Sequence, residues 1–210
     1  MQLDRKSVQR ACKDDVWAIG NQALYDLCER HPRHVVDAEI VAKVWLIGRA
    51  YAASVERGRG NADDAALSND RFYAEAIPRA LRASDLDRRL RELAGFERID
   101  ESNVGSILDA HSHLVNVFYR LTGKKKRSLA SKYLHFHRPS LFFIYDSRAT
   151  SAVRALGLPR QVIEVPDVAD RTYAQFVSAA LGVRQFVSTK FGQALNPRQL
   201  DRLLLGTHEP

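Results

Sequence analysis

Apolar residues recur at intervals of three and four along most of this chain, and that spacing leaves few folds open to it. Val16, Ile19, Ala23, Leu24 and Leu27 predict a helix from Val16 to Cys28 that stops near His31-Pro32. Asp37 reads as the cap of a long helix to about Glu56, with Ile40, Val41, Val44, Trp45, Gly48, Tyr51, Ala52 and Val55 on one broad face. Phe72 to Arg82 follows, kinked or split by Pro78, and Ser84 with Asp87 resembles a capping box for a short helix to about Ala94. Helices are then expected over Asn103 to Leu121, Ser128 to His137, Asp146 to Leu156 (closed by Gly157) and Arg171 to Phe191. Asn196-Pro197 opens a last one, making nine. The strongest loop signal is Gly58-Arg-Gly-Asn-Ala-Asp-Asp. Leu141-Phe-Phe-Ile-Tyr breaks the helical spacing, and its five apolar residues predict a buried extended segment. With no set of alternating strands and no internal repeat, the predicted class is all-α.

The chain's 210 residues, 45% hydrophobic and 27% charged, suit one domain over residues 1–210 and argue against wholesale disorder. That length leaves room for two packed helical lobes, about 1–120 with the C-terminal helix and about 121–195. No apolar run approaches the roughly 18 residues that a membrane span needs. The amino end lacks the apolar core of a secretory signal. Cys12 and Cys28 have no metal-type spacing and are too few for a disulfide framework, so a reducing cytoplasm is the expected compartment. Gly123-Lys124 lacks the second glycine and the Ser/Thr of a phosphate loop, and no Gly-x-Ser-x-Gly elbow is present. His111/His113 and His135/His137 fall on predicted helices, where two-residue spacing points their rings apart, so no metal site is expected.

The net charge of +7 is concentrated. From Arg120 to Arg160 ten basic residues face one acid, Asp146, while the rest of the chain holds 22 basic and 24 acidic residues. A segment of +9 on a near-neutral scaffold attracts a polyanion, with nucleic acid the commonest candidate and a solvated basic face the plainer alternative.

Within that segment, Leu129, Tyr133 and Phe136 share one helix face with Lys132 on its flank, so the lysine stem is expected to be buried and its amine to face a cleft. Burial and the neighbouring cations favour a neutral, nucleophilic amine. Asp146, at a helix start beyond the apolar run, is a well-fixed carboxylate. Lys132 as a snorkelling surface lysine and Asp146 as a simple N-cap are the structural alternatives.

Gly123 to Arg148 resembles the catalytic segment of the helix-hairpin-helix DNA glycosylases, in particular their 8-oxoguanine-type branch. The likeness runs through Ala130-Ser131 and Ile144-Tyr145-Asp146-Ser147-Arg148 and covers about 30 residues. It implies a two-lobed all-α fold, a lysine that forms a Schiff base with the sugar of a damaged nucleotide, possible AP-lyase activity, and an aspartate at Asp146. It implies no cofactor or metal, and a double-stranded DNA partner. This chain departs from the family hairpin, which carries a second glycine before its lysine. A gapless placement anchored at Asp146 puts the family lysine at Ser128. The nucleophile is therefore assigned to Lys132, one turn further on, with Lys126 as second choice. Lys124, Lys125, Lys126, Arg127 and Arg148 are the expected phosphate contacts. Trp45, Tyr133 and Phe142 are candidates for stacking on a base, with core packing the more usual role. Arg49 either lines the pocket or pairs with an acid. A helical DNA- or RNA-binding protein without catalysis is the alternative function.

Overall fold

The computed structural model of the chain describes residues 3–58 and 68–206. Its regular structure there is helical throughout, without a strand. The elements are α1 (Arg5–Ala11), α2 (Ala18–Arg30), α3 (Asp37–Ala50), α4 (Asn69–Arg71), a π-helical stretch (Phe72–Ala76), α5 (Ile77–Arg82), α6 (Leu86–Glu92), α7 (Val104–Thr122), α8 (Arg127–His137), α9 (Ser147–Leu156), α10 (Arg171–Phe191) and α11 (Pro197–Gly206). Since α4, the π stretch and α5 form one continuous rod, the described residues hold ten helical rods. The loop expected at Gly58 to Asp64 lies, beyond Gly58, outside the described residues.

The rod absent from the sequence reading is α1. Its sequence is polar, and its start is set by a reciprocal pair: the Ser7 amide donates to the Asp4 carboxylate at 2.7 Å and the Asp4 amide to the Ser7 hydroxyl at 3.2 Å. Val8 and Ala11 then pack under α11.

Three expected boundaries are corrected. The third helix ends at Ala50 rather than near Glu56. Gly48 packs closely on the backbone of Ser54, where a Cβ would stand 3.3 Å from the Ser54 Cα, and the Ala53 amide donates back to the Gly48 carbonyl at 2.8 Å. Val55 is buried because the chain reverses here, so its helical spacing is coincidental. Nor is Asp37 the cap: Val36 holds that position, and Asp37 pairs with Arg82. The Ser84/Asp87 capping box does not form either, because the Asp87 carboxylate is taken by His34. Pro78 neither splits nor ends its helix. The π-helical turn just before it widens the coil where proline lacks an N–H and crowds the preceding turn.

The buried apolar side chains form one cluster from Leu3 to Leu204. Leu141, Phe142, Phe143 and Ile144 run through it as an extended segment with no neighbouring strand. Side chains therefore serve its backbone. The Tyr173 hydroxyl donates to the Phe143 carbonyl at 2.9 Å, His135 Nδ1 lies 2.9 Å from the Phe142 carbonyl, and the Tyr145 amide donates to the Ser131 hydroxyl at 3.0 Å. These ties fix where the segment ends, at Asp146.

Candidate active site

Asp146 is extended at the N-cap of α9, and its two oxygens have different work. Oδ1 accepts from the Ala149 amide at 2.9 Å, closing the first turn, while Oδ2 accepts from Lys132 Nζ at 3.2 Å. Helical side chains lean toward the N-terminus, so the Lys132 amine reaches back one turn and donates to the Ser128 hydroxyl at 2.9 Å. The face of Tyr51 completes its surroundings at 5.6 Å. The two residues singled out from the sequence thus meet. The Lys132 side chain is only 3% exposed, so its amine is enclosed rather than open to a cleft.

Behind the pair lies a residue the sequence reading missed. Asp201, on α11, is 4% exposed and pairs through Oδ2 with Arg198 at 3.2 Å, while its Oδ1 finds no partner among the described groups. Burial, with a contribution from the Asp146 charge, raises its pKa to about 6 against the opposing charges of Arg198 and Lys132. Arg198 lies over the rings of Tyr25, Tyr51 and Phe136, and its Nη2 is likewise buried and unmatched. Its Nε donates to the Tyr25 hydroxyl at 3.1 Å, which lies 2.7 Å from His135 Nε2. Because His135 Nδ1 faces a carbonyl, this network assigns the proton to Nδ1 and makes Nε2 the acceptor. Burial depresses the His135 pKa to about 3, so the ring is neutral as the network requires. The signal for Asp201 was present in the sequence: an acid within the apolar face formed by Pro197, Leu200 and Leu204.

Tyr51, Arg198 and Asp201 floor a pocket of about 490 Å³, walled by Trp17, Leu24, Leu46, Ala50 and Leu205. The Tyr51 hydroxyl donates to the Asn21 side-chain carbonyl at 2.5 Å, holding the ring between this pocket and the Lys132 amine. Arg198 Nη2 and Asp201 Oδ1 are thus buried polar atoms without partners in residues that line an apolar cavity.

The basic residues do not gather on one surface. Lys124 and Lys125 are exposed in the turn after α7, where Gly123 adopts φ 66° and the Lys124 amide donates to the Thr122 hydroxyl at 3.2 Å. Lys126 turns its amine to the Arg57 carbonyl, away from Asp146. Arg127 is bound to both oxygens of Asp170, the N-cap of α10, at 2.8 and 2.9 Å. Arg148 is exposed and lines a second cleft with Arg10, Lys13 and Arg202, whereas Arg160 lines a separate depression with Arg171. Arg138 is spent on the Leu90 carbonyl.

Of the stacking candidates, Tyr133 and Phe142 are fully buried and cannot meet a base. The Tyr133 hydroxyl instead lies 2.6 Å from His34 Nε2, whose other nitrogen faces Asp87. Trp45 is partly exposed, and Arg49 pairs with Glu56 at 2.9 Å. His111 stacks on Tyr173, and no group of three or more metal-ligating side chains occurs among the described residues. Cys12 and Cys28 are both free, and burial raises the Cys28 thiol to about 12, which leaves it unreactive. No helix of the described residues is long and apolar enough to cross a membrane. Comparisons with protein-family models, curated proteins and solved structures give no match for this chain.

Proposed function

We propose that the chain is a lysine-dependent DNA glycosylase that excises an 8-oxoguanine-like base, with AP-lyase activity following from the same intermediate. The observation that carries this reading is the 3.2 Å contact between Lys132 and Asp146. The resemblance placed the nucleophile at Ser128, and the Lys132 amine ends at the Ser128 hydroxyl. A lysine displaced by one helical turn therefore delivers its nitrogen to the same locality.

In this mechanism the damaged nucleotide leaves the stack, because its glycosidic carbon is inaccessible within the duplex. The base enters the pocket over Tyr51, Arg198 and Asp201. Asp146 Oδ2 takes a proton from the Lys132 ammonium, and the freed amine attacks the sugar carbon as the bond to the base breaks. The electron pair leaves with the base, which takes up the proton held by Asp146. The ring C–O bond of the sugar–lysine adduct then breaks as one proton passes from the lysine nitrogen to the ring oxygen, giving a protonated Schiff base from which strand cleavage proceeds. Nothing in this sequence requires a cofactor. Lys124 and Lys125, exposed in the turn after α7, contact the backbone phosphates in this reading.

Borohydride trapping on an 8-oxoguanine-containing duplex tests the proposal. The wild type is expected to form a covalent adduct, Lys132→Ala to form none, and Lys126→Ala to retain it. Absence of an adduct with the wild type, or full trapping by Lys132→Ala, refutes it.

A second reading draws on the enclosure of Lys132. An amine shielded by Ser128, Asp146 and Tyr51 is also what a purely structural ion pair looks like. A non-catalytic DNA- or RNA-binding protein would show salt-sensitive binding that survives Asp146→Asn, with no base released from any substrate.

A further inference from the structure

Val16, Trp17 and Ile19 are left 82%, 73% and 84% exposed at the start of α2. The helical spacing that marks this segment as amphipathic is obeyed only from Leu24 onward, because nothing in the described residues covers its first turn. Three large apolar side chains within four residues of surface mark a contact site.

The segment leading to them is built, not loose. Arg202 of α11 donates to the Lys13 carbonyl and pairs with Asp14 at 3.0 Å, and the Trp17 amide donates to the Asp15 carboxylate at 3.0 Å. The second Asp15 oxygen lies 3.9 Å from Arg202 Nε. Both acids are thus engaged by Arg202 or by the turn itself. Arg10, Lys13 and Arg148 around them are exposed.

Trp17 also stands at a junction. It lines the 490 Å³ pocket that also holds Tyr51, Arg198 and Asp201, and it lines the neighbouring cleft of about 790 Å³, where Arg10, Lys13, Arg148 and Arg202 outnumber Asp14 and Asp15. An indole held between an apolar pocket and a cationic cleft matches a nucleotide's own division into flat base and charged phosphate.

We infer that Trp17 is the stacking platform of a single-strand nucleic-acid site, with an unpaired base on the indole and the adjoining phosphates on Lys13, Arg10 and Arg148. This rests on the nucleic-acid reading above but not on its chemistry. The surface is distinct from the Lys124-Lys125 turn, and it gives a bound strand a path from the cationic cleft to the mouth of the pocket. An acidic protein partner is the competing occupant, but the flat indole beside an apolar pocket with ample room for a base favours a nucleotide.

The chain has two tryptophans, so Trp45→Phe leaves Trp17 as its only indole reporter. Titration of that variant with a short oligothymidylate strand, and with a duplex containing one abasic-site analogue, is expected to quench Trp17 emission in a salt-sensitive manner. An intact duplex should quench less. Trp17→Ala should weaken single-strand binding by about tenfold, as loss of one base–aromatic stack does. Trp17→Phe should restore most of it, and circular dichroism should be unchanged in both. Unaltered emission when anisotropy shows the strand to be bound overturns the inference, as does Trp17→Ala binding like the wild type. So does emission that follows protein concentration without nucleic acid, which would make this a protein contact, or a failure to bind any strand at low salt. Quenching without borohydride trapping would sink the glycosylase reading and leave the Trp17 site standing. Undiminished trapping and binding in Trp17→Ala would do the reverse.

Discussion

Replacing Asp201 with asparagine isolates the one buried acid whose protonation the fold resists giving up. Its pKa is raised from 3.8 to about 6, by burial first and then by the Asp146 charge. A carboxyl group with a higher pKa in the folded than in the unfolded state binds more protons when folded between those two values. Its contribution to stability is therefore complete below pH 3.8 and is lost as pH rises through 6. At about 1.36 kcal/mol per unit, a shift of roughly two units corresponds to about 3 kcal/mol, of which about 2.5 falls between pH 4 and pH 8. Asparagine has nearly the same shape and does not titrate. Urea unfolding of both proteins at pH 4, 5, 6, 7 and 8 cancels every other titration in the difference between them. Relative to the wild type, Asp201→Asn should gain on the order of 2.5 kcal/mol in stability on going from pH 4 to pH 8, with the change centred between pH 4 and 6. A constant offset from changed packing or the altered Arg198 contact does not disturb this slope. A difference that stays flat across the series, or that moves against the variant as pH rises, refutes the argument. It would mean that solvent or another partner reaches Oδ1.

Four further substitutions, one of them a control, probe the scaffold. Gly182→Ala on α10 places a methyl group 2.0 Å from the Pro159 carbonyl oxygen, so it should cost at least about 2 kcal/mol in denaturant unfolding, whereas Gly105→Ala, 3.7 Å from Pro166, should fold normally. Asp170→Ala removes both the α10 cap and the partner of Arg127, for a loss of about 2–4 kcal/mol at neutral pH. Burial disfavours the Asp170 carboxylate, but the hydrogen bonds from Arg127 and Tyr173 outweigh it and lower its pKa, so this loss should shrink as acid titrates the wild-type group. Lys43→Met strips the buried donor that satisfies the His31 and Arg33 carbonyls at 2.7 and 3.1 Å, and should lower stability by about 2–3 kcal/mol in the same assay.

What the sequence disclosed follows the range of the forces involved. Helix positions came from local signals that the structure honours: Asp146 caps α9 through its own third residue, and Gly157 closes that helix with positive φ. Asp170 at the start of α10, and Gly123 and Gly192 after α7 and α10, are signals of the same local kind that the reading passed over. The extended course of Leu141 to Tyr145 was equally legible, because a short apolar run between turn residues has few other uses. Failures occur where a distant residue decides. Asp87 serves His34, 53 residues away, instead of its own helix, and Val55 is buried by a chain reversal after Gly48. Charge was the most misleading property. Ten cations in one window of sequence suggest one surface, yet Arg127, Lys132 and Arg138 turn inward to Asp170, Asp146 and Leu90.

The same contrast bears on the candidate site. Lys132 and Asp146 could be paired in advance because 14 residues separate them, joined by a helix and a segment whose backbone is tied back to that helix through Ser131 and His135. Asp201 and Arg198 come from the far end of the chain, Tyr51 from the end of α3, and Trp17 from the start of α2. No local pattern joins them. Yet these four line the open volume, whereas of the legible pair Lys132 is enclosed and Asp146 is about a quarter exposed. Tyr51 touches both compartments: it lies 5.6 Å from the Lys132 amine and lines the pocket, and its hydroxyl is held by Asn21. The coupling between the two compartments therefore runs through Tyr51, while Arg198 Nη2 and Asp201 Oδ1 remain buried and unmatched beside it.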